Sequence, residues 1–250
     1  MIMLIKRIAS IVFLTWGFLV FISAMIIVLP FIILSSALFK DKRAQDIIFL
    51  FLKIWAWTFS ILCFFPVRVK NKYLKDPKKA YIYVSNHNSY LDAIAIVIAI
   101  PGSFKPLGKI EMAKAPIFGM IYRRVVVMID RNSKESRARS VEELQYDLSK
   151  SRPILIFPEG TMNRTNSALA DFYDGAFRLA IETQIPLAPF VILNARNLFP
   201  RDKPLSARPG AICCIFAKPV EVSGLSMDDL EELKATIHKS MENLILDNPV

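Results

Sequence analysis

Between Ile8 and Phe39 the chain runs for 32 residues without a charge, well beyond the ~20 apolar residues that carry a helix across the hydrocarbon of a bilayer. The run predicts a membrane-embedded helix. Lys6 and Arg7 precede it as they would a secretory signal, but the apolar core of a cleavable signal is only about 7 to 15 residues long. As one straight helix the run would reach about 48 Å at 1.5 Å per residue, so it has to tilt, protrude or bend near Pro30.

A second apolar run, Ile47 to Val67, carries one charge, Lys53, placed where a lysine stem can snorkel to the headgroups. A buried helix of a soluble domain would read similarly. Trp55, Trp57 and several phenylalanines suit a membrane interface better. The connection Lys40-Asp41-Lys42-Arg43-Ala44-Gln45-Asp46 is too charged for the tip of a hairpin dipping into one leaflet, so the two runs read as a spanning hairpin. Basic residues stand before the first run, between the runs and after the second, at Arg68, Lys70 and Lys72. The positive-inside rule therefore leaves the orientation open.

Residues 1–67 are thus expected to be an anchor of two hydrophobic helices and residues 68–250 the functional domain. That domain carries 26 basic against 20 acidic residues within a chain of net charge +10. A basic surface beside a membrane fits anionic headgroups or phosphorylated substrates. Nucleic acid is not an expected partner, since the basic residues form no finger, basic zipper or aromatic sheet signature. Cys63, Cys213 and Cys214 lack disulfide or metal spacing, which fits a reducing compartment. With two histidines in the chain, His87 and His238, no metal site is expected.

After the hairpin, short β-rich runs alternate with helical stretches, the pattern of an α/β domain. Strands are predicted near Tyr81 to Ser85, Val125 to Ile129, Ile154 to Phe157, Leu187 to Leu193 and Ala211 to Phe216. A helix from about Ser133 to Lys150 starts with Asn132 and Glu135 at capping-box spacing and sets Val141, Leu144 and Leu148 on one face. A C-terminal helix starts at Ser226 and Asp229 and repeats Leu230, Leu233, Ile237, Met241 and Leu244 at three and four. The longest irregular stretch is Asn194 to Gly210, with three prolines.

Chemistry is concentrated where the first of these strands ends, in Asn86-His87-Asn88-Ser89-Tyr90-Leu91-Asp92. Functional groups collect at strand ends in α/β domains. A histidine there can take a proton near neutral pH if a carboxylate fixes its tautomer and offsets the imidazolium charge. Asp92 stands at the right distance along the chain. The same residues also read as a capping box, Ser89 to Asp92, in which Asp92 merely satisfies a backbone donor. Spacing alone leaves both readings open.

Joined to Phe157-Pro158-Glu159-Gly160-Thr161 and Ile129-Asp130-Arg131, the segment resembles the 1-acyl-glycerol-3-phosphate acyltransferase family. All four blocks of that family have a counterpart: Asn86, His87 and Asp92; Gly119 through Arg131; Phe157 to Thr161; and Ile185-Pro186-Leu187-Ala188-Pro189. The resemblance covers roughly Tyr81 to Phe190, and separated motifs in register are far more specific than either alone. It implies one acyltransferase-like α/β domain, a mixed sheet with surrounding helices, behind the membrane hairpin.

By resemblance, His87 is the general base for the acceptor hydroxyl, Asp92 orients it, and the hydroxyl attacks an acyl thioester with no covalent enzyme intermediate. Lys109 and Arg131 match positions associated with the substrate phosphate; Glu159, Gly160 and Thr161 match the glycerophosphate pocket. No bound cofactor is implied; acyl-CoA or acyl-carrier protein is the co-substrate and a lysophospholipid the acceptor, at the cytoplasmic face of an inner or cytoplasmic membrane, where thioesters are made. Two positions depart from the pattern. Met162 stands where an arginine commonly follows the threonine, the nearest arginine being Arg164, and Asp174 replaces a lysine before Gly175 and Ala176. Another lysophospholipid or a lyso-aminolipid is therefore a second acceptor class, and a transacylase or hydrolase with the same base a second reaction. A non-catalytic lipid-binding protein with this fold would hold His87 and Asp92 too far apart for a hydrogen bond.

Overall fold

A computed structural model describes residues 2–71 and 79–249, with side chains from residue 7; Lys72 lies outside the described residues. The first apolar run is a single helix, α1 (Ile2–Leu38), with Pro30 inside it. It turns back at once into α2 (Asp41–Leu62). The charged connection is therefore largely the first turn of α2, where Lys42 pairs with Asp46 at 2.8 Å.

Both helices are long and apolar enough to cross a membrane, yet α2 divides its surface. Ile48, Phe49, Leu52, Ala56 and Phe59 are buried in a cluster shared with the rest of the fold, while Leu50, Ile54, Trp57 and Ile61 face outward. Trp55, expected at an interface, is buried: its ring lies edge-on to Phe21 and its Nε1 donates to the Phe21 carbonyl at 3.3 Å. The α1–α2 connection does not stand clear of the domain. Gln45 Nε2 donates to the Arg124 carbonyl at 3.0 Å, and Ser103 Oγ donates to Asp46 at 2.5 Å.

Seven strands form one mixed sheet: β1 (Val67–Lys70), β2 (Ile82–Ser85), β3 (Lys105–Lys109), β4 (Val127–Ile129), β5 (Ile154–Ile156), β6 (Leu187–Leu193) and β7 (Ile212–Phe216), in the order β1-β7-β6-β2-β5-β3-β4. All neighbours are parallel except β6 and β7. Alternation along a strand sends successive side chains to opposite faces. Tyr83 of β2 and Phe190 of β6 join the cluster under the hairpin and α3 (Asp92–Ala99). Ile82, Val84 and Val191 join the other cluster, under α5 (Lys134–Ser149), α6 (Gly175–Thr183) and α8 (Leu230–Leu246). Strands buried on both faces read as continuous apolar runs, as β2 and β6 do.

The structure adds β1 and β3 to the five predicted strands. It also starts β4 at Val127, because Val125 ends α4 (Phe118–Val125). The cap of α5 is Ser133, whose hydroxyl accepts from Ser136 N at 3.0 Å, rather than Asn132. Val141 is 39% exposed, since the buried stripe of α5 runs through Ser140, Leu144, Asp147 and Leu148. Ser226 and Asp229 form a capping box that opens a 3-10 turn, Met227–Asp229, immediately before α8. Within Asn194 to Gly210 the chain forms α7 (Ala195–Leu198) and a 3-10 turn, Pro204–Ser206.

Candidate active site

The end of the sheet that carries the histidine turn is fixed by Asn86. Its buried amide makes two bonds to β6, accepting from Ile192 N at 2.7 Å and donating to the Ile192 carbonyl at 3.0 Å. From that anchor the chain turns through His87 into α3. Asp92, fully buried, brings one oxygen, Oδ2, to 2.8 Å from His87 Nδ1, 2.8 Å from Asn88 N and 2.9 Å from Ser89 N. A carboxylate oxygen can only accept, so the imidazole proton sits on Nδ1 and leaves Nε2 as the basic nitrogen. Capping and orientation are thus the work of one atom. The His87 side chain is 22% exposed and its ring stacks on Phe157, centroids 4.3 Å apart. His87 and Asp92 are in hydrogen-bond contact, not held too far apart for one.

Glu159 sits behind this turn. Its side chain is buried, with one oxygen accepting from His87 N at 2.7 Å and the other from Ala170 N at 2.8 Å. The carboxylate thereby ties β2's end to the loop after β5, and it holds the His87 backbone. Burial pushes the Glu159 carboxyl above the ordinary glutamate value, only partly offset by the two backbone donors. A group whose pKa is raised by folding stabilises most below its unfolded pKa, and the benefit is lost as pH rises through the folded value. Glu159→Gln should cost about 1–3 kcal/mol of stability, because an amide presents one acceptor oxygen to two donors. The gap between wild type and variant should narrow as pH rises above the ordinary glutamate range. Thermal melts across that range check it; a gap that widens with pH would contradict the assignment.

The other sequence-nominated residues gather with unequal closeness. Gly160 has φ +69, and a Cβ there would lie 2.9 Å from the ring of Tyr173 and 3.5 Å from Arg131 Nη1, so the position demands glycine and seats the Arg131 guanidinium against the turn. Thr161 is exposed beside it, its N–H donating to the Glu159 carbonyl at 2.8 Å. Lys109 is exposed at the end of β3 opposite Ile129, so strand register sets it next to the approach to Arg131 without a side-chain contact to His87.

Asp174 is paired with Lys234 of α8 at 2.7 Å, so its charge is committed elsewhere. Met162 is half-buried and Arg164 exposed. Among the described residues no group of three histidines, cysteines or carboxylates is placed to hold a metal ion.

Sequence reading missed Asn163 as part of the site. Its N–H donates to the His87 carbonyl at 2.6 Å, and its buried amide holds Thr165 and Ser167. Arg196 of α7 donates to the Thr165 carbonyl at 2.9 Å and closes the loop. The visible signal is an asparagine two residues before a threonine, an Asx-turn pattern.

The matched region of known proteins takes in the residues of this site. Residues 66–193, just over half the chain, match the family described as Acyltransferase. The 1-acyl-sn-glycerol-3-phosphate acyltransferase of Haemophilus influenzae is 27% identical over 232 residues, 91% of this chain and 92% of that protein. The alpha enzymes of that name from mouse and human are 29% and 30% identical over 177 residues, 70% of this chain; the chain spans 62% of the length of each. The crystal structure of the 1-acyl-sn-glycerophosphate (LPA) acyltransferase PlsC from Thermotoga maritima superposes with a TM-score of 0.82 at 19% identity, over 97% of both chains, and shares the fold. A family match that takes in both the histidine turn and the Phe157–Thr161 turn shows where the chain belongs: it is a member of the acyltransferase family.

Proposed function

We propose that the protein transfers a fatty acyl group from acyl-CoA or acyl-carrier protein to the free hydroxyl of a lysophospholipid, with 1-acyl-glycerol-3-phosphate as acceptor and phosphatidic acid as product. The observation that carries the reading is the His87 Nδ1 contact with buried Asp92 at 2.8 Å, which leaves Nε2 to act. In the proposed step Nε2 takes the hydroxyl proton as the oxygen attacks the thioester carbonyl. The C–S bond then breaks and the departing thiolate takes the proton back from the imidazolium, leaving as a free thiol with His87 neutral again. Asp92 offsets the imidazolium charge, and Glu159 and Asn163 hold the backbone on either side of His87.

Arg131, beside Gly160, supplies a bidentate fork for the acceptor phosphate, and Lys109 a point charge on the neighbouring strand. Because Asp174 is spent on Lys234, it does not oppose an anionic headgroup. Met162 is what keeps a second acceptor class, another lysophospholipid or a lyso-aminolipid, in view. The hairpin's outward apolar face, with Phe18, Ile27, Leu50 and Ile61 exposed, meets the bilayer that holds both acyl chains, and the domain works on the cytoplasmic face.

The test is acyl transfer by purified protein to a panel of lysolipids. Lysophosphatidic acid should be the best acceptor, and Arg131→Ala should raise its KM by about 10- to 100-fold, the equivalent of losing a hydrogen bond between charged groups. Equal use of a choline lysolipid, with Arg131→Ala without effect, would remove the phosphate assignment.

A further inference from the structure

The chain between β3 and β4 is built unlike the rest of the catalytic edge. A 3-10 turn, Ile110–Lys114, leads to α4 through Ile117, which holds φ 60 and ψ −61 while Phe118 N donates to the Pro116 carbonyl. This is a γ-turn of the strained hand, on a β-branched residue for which positive φ is unfavourable. The excursion is nonetheless tightly closed. The Arg123 guanidinium donates to the Ala113 carbonyl, and a Cβ on Gly119 would strike that same carbonyl oxygen. Strain of this kind persists only where the surroundings impose it.

What the closed excursion presents outward is apolar: Ile110, Met112 and Met120 are 40%, 45% and 39% exposed. Lys114 and Arg123 are exposed among them, against one acid, Glu111. Inward, Ile117 and Phe118 pack on the cluster that includes Met25 and Ile32 of α1 and Ile48 of α2. The excursion is therefore packed against the hairpin, with its exposed apolar side chains on its outer side. It begins one residue after Lys109, at the mouth of the site.

We infer that residues 110–123 are a second bilayer contact, distinct from the hairpin: Ile110, Met112 and Met120 enter the acyl region of an anionic lipid surface while Lys114 and Arg123 lie at its phosphates, holding the site mouth at headgroup depth. Large apolar side chains flanked by cations and joined to an apolar anchor match an anionic membrane surface in both chemistry and sign. The contact itself does not depend on the acyltransferase reading; only the activity arm of its test does.

The test uses the full chain in vesicles of phosphatidylcholine and phosphatidylglycerol. An environment-sensitive fluorophore on Met112→Cys should report an apolar setting and be quenched by bromine on the acyl chains. The signal of labelled wild type is subtracted, and the same probe on Glu142→Cys, on α5 across the sheet, should report water. Identical emission from the two positions would overturn the inference. In the activity arm, Ile110→Glu with Met112→Glu should raise the apparent KM for vesicle-borne lysolipid about tenfold, the effect of losing part of two apolar burials. Activity on a dispersed short-chain lysolipid should stay within about twofold. An equal fall on both substrates, or none on vesicles, would also overturn it. Should wild type transfer no acyl group at all, the acyltransferase reading fails while the fluorophore still judges the contact.

Discussion

Replacing His87 with alanine should lower kcat/KM for acyl transfer about a thousandfold, with the fold retained. A positioned general base contributes ~10²–10⁴ in rate, and among the described residues no second histidine lies beside His87 to take its place. The second histidine, His238, lies on α8 and packs edge-on to Phe172, on the other side of the sheet. The nearest carboxylates, Asp92 and Glu159, are buried and face backbone donors. The fold survives because the turn is held by its backbone: His87 N by Glu159 and His87 O by Asn163. Steady-state kinetics with a thermal melt check both halves. Activity within about tenfold of wild type would remove His87 from the chemistry.

Asp92→Asn should lower kcat about a hundredfold or more while leaving KM and the melting temperature close to wild type. An asparagine oxygen can replace Oδ2 and still accept from Asn88 N, Ser89 N and the Nδ1 proton. The geometry stays, and the charge that offsets the imidazolium in the transition state goes. Asp92→Ala separates the two roles of this residue. It leaves two backbone N–H groups without their acceptor, at about 1–3 kcal/mol each if they stay buried, so stability should fall together with activity. If the asparagine variant kept full kcat, Asp92 would be a helix cap and nothing more.

That double role explains how far the site was legible in the sequence. A strand running into a turn and then into an apolar helix is a local pattern, and it located His87 and Asp92. Whether the carboxylate faces the ring or only the backbone depends on how α3 leaves the turn, and the same spacing serves both. Glu159 lies beyond local reading altogether. Its motif reads as a Pro-Gly turn after β5, but its partner is the His87 amide, 72 residues away, brought near only by the pairing of β2 with β5.

Similar limits explain the fold. Strands β2, β6 and β7 announce themselves through apolar runs buried on both faces. Lys105-Pro106-Leu107-Gly108-Lys109 has neither alternation nor β-branched residues, and it is a strand because β5 and β4 flank it and Gly108 gives room for the Tyr122 side chain. The short β1, Val-Arg-Val-Lys, has four residues and begins on the last residue of the second apolar run. That run, in turn, carries two demands at once, one face for the domain core and one outward, which a hydropathy average cannot separate.

The central claim is direct attack by the acceptor hydroxyl on a thioester, and simultaneous measurement of free thiol and phosphatidic acid tests it most directly. With acyl-CoA and lysophosphatidic acid supplied together, wild type should release one thiol per phosphatidic acid formed, and release almost none when the acceptor is withheld. Thiol released at an undiminished rate without acceptor, or phosphatidic acid formed without added thioester, would contradict the account.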